Sequence, residues 1–515
     1  MLAEKFKEDS NVAFTWNGAK SFATTGNTLV DQFGKAGSYM KRLISDVITD
    51  MSVIWNEDPL AALRFMFFLR IINRTSDIGS SQVKQSGSGL RDEFYKRMSW
   101  LSYNRPEVFK TNLWLVPFVG SFKDFVELWS SYDINPSVKQ LLVVTYWAVA
   151  KETESSLAWK YAPLPRAQSK LKTERAKRRN QFAIESAKLL GLTHKVYRLT
   201  KTTSEAHKWQ QLISTRQYYN IDFNHIPGIA LKKLVDSKFL ENQHLSRKFM
   251  DWIHTQDVVK FNGYPYQLYH SARSGNQVRV MTANKQFEQL LETSKGAMNG
   301  NVLTALDSSS SMTWVEVSKG IQPLHIAMSL TAFFAKLNTS NTFKDYYINF
   351  ATRSTLNRLH GITFSDALSR MHGGMGSTNF QSIIDLLVEY RVKHPEVPIE
   401  DYPHYILVIS DMQFNPSYYG DQKYGDPNST VAKQKLAEVG LEHLSFIWWQ
   451  VNGKNTTDMP DTLESGQSYF FSGFSGDIIR FLLGGSDSPD HNSRSMVEVV
   501  QEALNQPILQ YLKLG

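Results

Sequence analysis

The sequence predicts two architectures in series: an N-terminal HEAT-like helical repeat domain, ring or horseshoe, over residues 1–290, then a doubly wound, Rossmann-like α/β domain over 291–490. A C-terminal helical segment, 491–515, follows. Three observations carry this α + α/β prediction. Apolar residues recur at three-to-four spacing from about residue 28 to 290, as one buried helix face requires. Beyond about residue 297, short apolar runs alternate with helical patterns, which is how strand–helix units around a mostly parallel sheet read. Two of those runs end in an aspartate, and ligands sit at the carboxyl ends of such strands.

In the first half, "TLVDQFGKAGSYMKRLISDVITDMSVIW" places Leu29, Phe33, Met40, Leu43 and Val47 on one loose stripe. "DPLAALRFMFFLRIINR" begins with Asp58 as N-cap and Pro59 in the first turn, where a missing N–H does no harm. "RDEFYKRMSWLSYNRPEVFKTNLWLV" and "SFKDFVELWSSY" give further helices, with breaks at Pro106 and Gly120. "AIESAKLLG" and "HKVYRLTKTTSEAHKWQQLIST" continue the pattern, and "IPGIALKKLVDSKFLENQHLSRKFMDWIHT" reads as a helix pair. Short antiparallel pairs without a sharp repeat fit a HEAT-like solenoid, with an irregular helical bundle as the competing reading. In the second half, strands fall at "GNVLTALDSS", 345–352, 404–411, 444–452 and 468–473. Helices fall at 323–337, 377–394, "TVAKQKLAEVG" and "GDIIRFLLGG".

A composition of 42% hydrophobic and 12% aromatic residues excludes global disorder. The absence of cysteine excludes disulfides, zinc–thiolate sites and cysteine nucleophiles, leaving any metal to oxygen or imidazole ligands. The N-terminal "MLAEKFKEDSNVAF" mixes charges with single apolar residues and has no signal-peptide core. "LAALRFMFFLRII" is about half a membrane span and contains Arg64 and Arg70, so it reads as a buried helix. The expectation is a cytoplasmic protein with no membrane partner, or a virion-associated one for a chain of phage or viral origin.

The net charge of +8 is unevenly spread. Arg166, Lys170, Lys172, Arg175, Lys177, Arg178 and Arg179 crowd into "PRAQSKLKTERAKRRN", and Lys195, Arg198 and Lys201 follow. Such a cluster is either a solvated helix face or a footprint for phosphates. Tyr161, Tyr197 and Trp209 lie near it in sequence and could stack unpaired bases or pack in a core.

After the first strand of the second half, "TALDSSSSM" sets Asp307, Ser309 and Ser311 at alternating positions. "HGGMGSTNF" brings Thr378 to the junction of a Gly-rich loop and a helix, and Asp411 follows the strand "YILVIS". Hydroxyls with one or two carboxylates suit a hard divalent cation, Mg²⁺ or Mn²⁺, and leave it able to accept a partner's carboxylate or phosphate. At these residues the chain resembles the von Willebrand A domain, whose metal-ion-dependent adhesion site runs Asp-x-Ser-x-Ser, then Thr, then Asp. The resemblance implies that Ser309, Ser311 and Thr378 ligate directly, with Asp307 and Asp411 direct or through water. It also implies a protein partner that donates an acidic residue. Ser310 stands where Gly is common in such domains, Asn379 where Asp is, and Ser377 adjoins Thr378 as an alternative ligand.

"NGAKSFATTGNTLVDQF", "GSGLRDEF" and "PFVGSFKDF" are similar to the TROVE module of Ro autoantigen–type proteins, which bind single-stranded RNA ends and small structured RNAs. The resemblance, to divergent relatives in phages, large viruses and diverse cells, extends over nearly the whole chain. The function it implies is a ribonucleoprotein-type RNA-binding scaffold with a divalent-metal adhesion site. The alternative is a metal-dependent protein–protein adhesion or structural component of a particle or virion. No enzyme is expected: a two-metal hydrolase needs more clustered acids, and "GMGSTNF" lacks the Gly-Lys-Ser/Thr ending of a phosphate-binding loop. His372, beside that loop, reads as a loop cap, a ligand or a base.

Overall fold

The computed structural model describes residues 11–39, 42–204, 208–340, 342–417, 426–453, 459–463, 468–484 and 494–515. Most of the mixed-charge N-terminal stretch, residues 1–10, lies outside them. Short strands β1 (Val12–Phe14) and β2 (Lys20–Phe22) pair antiparallel, as do β3 (Arg74–Ile78) and β4 (Ser81–Gln85). The remaining strands form one six-stranded sheet: β5 (Val302–Asp307), β6 (Tyr346–Phe350), β7 (Ser354–Arg358), β8 (Tyr405–Ser410), β9 (Ser445–Gln450) and β10 (Ser468–Ser472). Its order is β10-β9-β8-β5-β6-β7, parallel throughout except for the antiparallel edge strand β7.

The described residues divide into two compact units that interleave along the chain. One draws on Met1–Met40, Gly228–Lys238 and Met250–Ala503, the other on Lys41–Pro227, Phe239–Phe249 and Leu504–Gly515. The sequence reading instead divides the chain consecutively, at 290 and 490. Hydrogen bonds explain the difference. Phe22 and Met459 exchange backbone hydrogen bonds, which ties β2 to the sheet unit. The amide of Asn112 both donates to and accepts from the backbone of Lys513, and Gln506 does the same with Ser86, which ties the C-terminal segment to the helical unit.

In the sheet unit, β5, β8 and β9 are buried along their whole length, as central parallel strands covered on both faces must be. Consecutive residues of a strand face opposite sides, and β9 uses this with two tryptophans. Trp448 packs on Phe380 and Phe414 on one face, while Trp449 packs on Phe334 and Phe471 on the other. A one-residue slip of β9 would therefore exchange the two cores. Helix Pro323–Leu337 is buried nearly all round, as its continuous apolar sequence requires, and Gln381–Lys393 contributes Ile383, Ile384 and Leu387 to the Trp448 core. The chain leaves β5 toward β6 on one side, while β8 flanks it on the other, so a crevice opens at their carboxyl ends.

The helical unit contains Ile44–Glu57, Pro59–Arg70, Arg91–Asn104, Phe122–Ser131, Leu141–Glu152 and Glu174–Leu189 among other helices. Asp58 caps Pro59–Arg70 as expected, accepting from the Ala61 amide at 2.9 Å. The predicted pair at 226–255 is three pieces, Gly228–Asp236, Phe239–Asn242 and Ser246–His254. The β3–β4 hairpin interrupts the helical pattern unannounced, because its polar residues Ser76 and Gln85 supply half of its buried face. No helix among the described residues is long and apolar enough to cross a membrane.

Two arginines inside apolar helices find buried partners. Arg97 faces Glu93, whose carboxyl burial holds above the usual range against the pull of Arg97 and Arg42. Arg70 makes two hydrogen bonds to Oδ2 of Asp124, at 3.0 and 2.7 Å, and Tyr95 and the Ser121 amide donate to the same carboxylate. Gly120 lies against this cluster: a Cβ there would meet Asp124 Oδ2 at 2.1 Å. Removing one partner of a buried pair strands the other's charge, which costs about 3–5 kcal/mol. Asp124→Ala is therefore expected to lower the urea midpoint sharply, and Arg70→Met with Asp124→Leu to lower it less, in equilibrium unfolding of the full chain.

Candidate functional site

Three loops meet at the carboxyl ends of β5 and β8. The first begins at Asp307, the last residue of β5, which is fully buried. Its Oδ1 accepts from the Ser309 amide at 2.9 Å, and its Oδ2 from the Ser410 hydroxyl of β8 at 2.5 Å. The Ser309 and Ser311 hydroxyls lie 3.1 Å apart. Ser308 and Ser310 serve the turn, as their alternation predicts. Ser308 donates its amide and its hydroxyl to the Phe350 carbonyl, and Ser310 donates to the Gly376 carbonyl.

The second loop, 372–379, is pinned beneath the first: the amides of Gly374 and Met375 donate to the Ser308 carbonyl. Gly374 and Gly376 take the left-handed backbone, with φ of 85° and 83°, that such a tight crossing demands. Thr378 is buried whereas its neighbour Ser377 is exposed, so the threonine is the one turned inward. His372 is exposed. The third loop accepts the turn at Met412, which is buried and left-handed (φ 63°), a costly conformation for a side-chain-bearing residue. Its amide donates to Ser410, and the Gln413 amide donates to Asp411 Oδ1 at 3.2 Å. The Asn415 amide donates to the Thr378 carbonyl, joining loops two and three.

Desolvation, and then the nearby Asp411 carboxylate, hold the Asp307 carboxyl well above the usual carboxylate range. Asp307 and Asp411 interact, the Ser309 and Ser311 hydroxyls adjoin, and Thr378 is buried on the neighbouring loop, with no arginine or lysine among the described residues to pair Asp307. No three histidines or acids cluster as ligands among the described residues, so a cation here would depend on the hydroxyls. The donor set fits a hard cation: all oxygen, with two like charges that a dication would relieve.

A fourth element borders the site and carries no sequence signal of its own. The β1–β2 turn is tied to the third loop. The Thr15 hydroxyl donates to the Phe414 carbonyl at 2.8 Å, the Trp16 backbone amide to Gln413 Oε1 at 2.6 Å, and the Asn17 side-chain Nδ2 to the Gln413 carbonyl.

The basic segment divides. Arg166, Lys170, Lys172, Arg178 and Lys195 are exposed. Arg175 and Arg179 both grip Glu127, at 2.6 and 3.3 Å, and Lys177 pairs with Glu174. Arg198 donates to the Pro165 carbonyl. Lys201, read from sequence with the phosphate-facing set, is buried: its ammonium donates to the carbonyls of Trp159 and Lys160, and burial lowers its pKa to about 8. Tyr197, read from sequence as either a stacking or a core residue, is core, packed on Trp147 and Trp159. Tyr161 and Trp209 are half-buried.

Two family matches cover most of the chain between them: residues 15–211 match a domain of unknown function, DUF2828, and residues 301–509 match another, DUF7788. A relative in Acanthamoeba polyphaga mimivirus, Uncharacterized protein L728, is 24% identical over 532 residues, spanning 96% of this chain and 88% of its own length. Among solved structures, the Deinococcus radiodurans RO (RSR) protein matches 77% of this chain and 88% of its own at 15% identity and a TM-score of 0.43, too loose to bear on function.

The helix that follows the first loop carries a titratable support. The Gln322 side chain donates to the Thr313 carbonyl, and its amide to His325 Nδ1. His325 stacks on Tyr269 at 4.2 Å, and burial with nearby His270 lowers its pKa from 6.5 to about 4. A histidine with a depressed folded pKa adds stability above its unfolded pKa and loses it as pH falls through the folded one. The thermal midpoint is therefore expected to fall between pH 6.5 and 4. In His325→Gln the fall should be shallower.

Proposed function

We propose that the chain is a ribonucleoprotein-type scaffold whose sheet unit holds Mg²⁺ or Mn²⁺ as an adhesion site and whose helical unit binds single-stranded or small structured RNA. On this reading the sheet unit is a von Willebrand A-type domain and the helical unit a HEAT-like scaffold. The observation that carries the cation site is the convergence of Asp307, Ser309, Ser311, Thr378 and Asp411 at one crevice, with Asp307 buried and lacking a cationic side chain. The hydroxyls and carboxylates would hold the ion, which would supply an open position for an anionic group. Support for RNA is the exposed set Arg166, Lys170, Lys172, Arg178 and Lys195.

The pairing of Arg175 and Arg179 with Glu127 favours a second reading, in which the chain is a metal-dependent adhesion or particle component and the basic segment is partly structural.

Isothermal titration of the full chain with Mn²⁺ should give one site, lost in Asp307→Ala and weakened in Thr378→Val. An unchanged isotherm in Asp307→Ala would remove the cation reading. For RNA, charge reversal is best made at the five exposed cations, because reversal at Arg175 or Arg179 also strands Glu127. Each single-strand phosphate contact contributes about −0.7 to the slope of log K against log salt, so five would give roughly −3 to −4. Filter binding that is unchanged by the five reversals would leave only the adhesion reading.

A further inference from the structure

We infer that Trp16 and Trp314 form an apolar jaw beside the cation, fitted to a protein partner whose acidic residue is followed by a large apolar side chain. The inference rests on the cation reading above. Trp16 is 83% exposed and Trp314 66% exposed, unusual values for the largest apolar side chain. Neither is held loosely. The Trp16 backbone is fastened to the third loop through Gln413, and the Trp314 amide donates to the Ser311 carbonyl at 3.2 Å.

With Val315 and Gln413 the two indoles border a cleft of about 330 Å³ that also includes Ser311 and Asp411. Two of the proposed ligands thus open into the same hollow as the two tryptophans. A partner group that reached the ion would lie against the rings. Exposed tryptophans rimming a polar centre are the usual energetic anchors of protein interfaces.

Charge decides between a peptide and a nucleic acid. Among the described residues, none that borders the cleft is lysine, arginine or histidine. A strand of nucleic acid would bring a row of phosphates with one cation to answer them. A side-chain carboxylate brings a single charge that the ion's open position matches, and an apolar neighbour to cover the indoles. The jaw also gives the N-terminal hairpin a role: it carries Trp16 to a site whose first ligand lies nearly three hundred residues later in the chain.

The test passes the full-length protein, loaded with Mn²⁺, over beads bearing short peptides centred on Asp-Trp, Asp-Leu or Asp-Ser, and over a 5′-phosphorylated oligouridylate. Retention is expected on the Asp-Trp and Asp-Leu beads, reversed by EDTA, and lowered about tenfold in Trp16→Ala and in Trp314→Ala. Mn²⁺ affinity of both variants, read by calorimetry, should equal the parent's. A Mn²⁺-binding parent that ignores all peptides, or tryptophan variants that hold them as the parent does, would overturn the jaw and leave the cation site standing. Oligouridylate retention that drops in the tryptophan variants would overturn the peptide assignment. A parent that binds no Mn²⁺ overturns both readings.

Discussion

A carboxylate deprived of water governs the sheet unit. Asp307 closes the central strand β5, and its two oxygens are met by the amide and hydroxyl of Ser309 and the hydroxyl of Ser410, with no cationic side chain among the described residues. Asp411 adds repulsion. The loops around it are correspondingly over-determined. Ser308 and Ser310 lock the first to its neighbours, paired glycines fold the second beneath it, and a left-handed methionine turns the third. Their hydrogen bonds tie one loop to the next, as those from Ser308 to Phe350, Ser310 to Gly376 and Asn415 to Thr378 do.

The helical unit contains the opposite solution. Asp124 is as deeply buried as Asp307, yet it has a guanidinium making two bonds, a tyrosine hydroxyl and a backbone amide. Its charge is neutralised within the fold, so its burial is a matter of stability alone. The same chain thus pairs a buried acid whose charge is cancelled with one whose charge is not.

The sheet unit was legible in sequence because fully buried parallel strands are short, continuous apolar runs. "YILVIS" and "SFIWWQ" admit little else, and Pro323 announces its helix. The edge strand β7, "STLNR", was missed because an edge strand can be polar and carries no such run. Of the site, the residues of all three loops were visible as motif and spacing. The sequence reading chose Thr378 with Ser377 as the alternative, and the two differ in burial, Thr378 being buried and Ser377 exposed. Trp16 was not visible at all, since nothing local in "FTWNGAK" speaks of a loop four hundred residues on. Lys201 looked like its basic neighbours because sequence does not reveal that two carbonyls 41 and 42 residues earlier await its ammonium.

The interleaving of the two units bears on synthesis. As the ribosome releases the chain, the β1–β2 hairpin emerges early but its partners on the third loop and at Met459 come some four hundred residues later. The helical unit likewise lacks the cover of its C-terminal 504–515 segment until the last residues appear. Early apolar surface must therefore stay exposed, or be shielded by other means, for most of translation. Neither unit is one contiguous stretch of chain, so a cut at the sequence midpoint would leave the helical unit without its 504–515 segment and the sheet unit without the β1–β2 hairpin and residues 228–238.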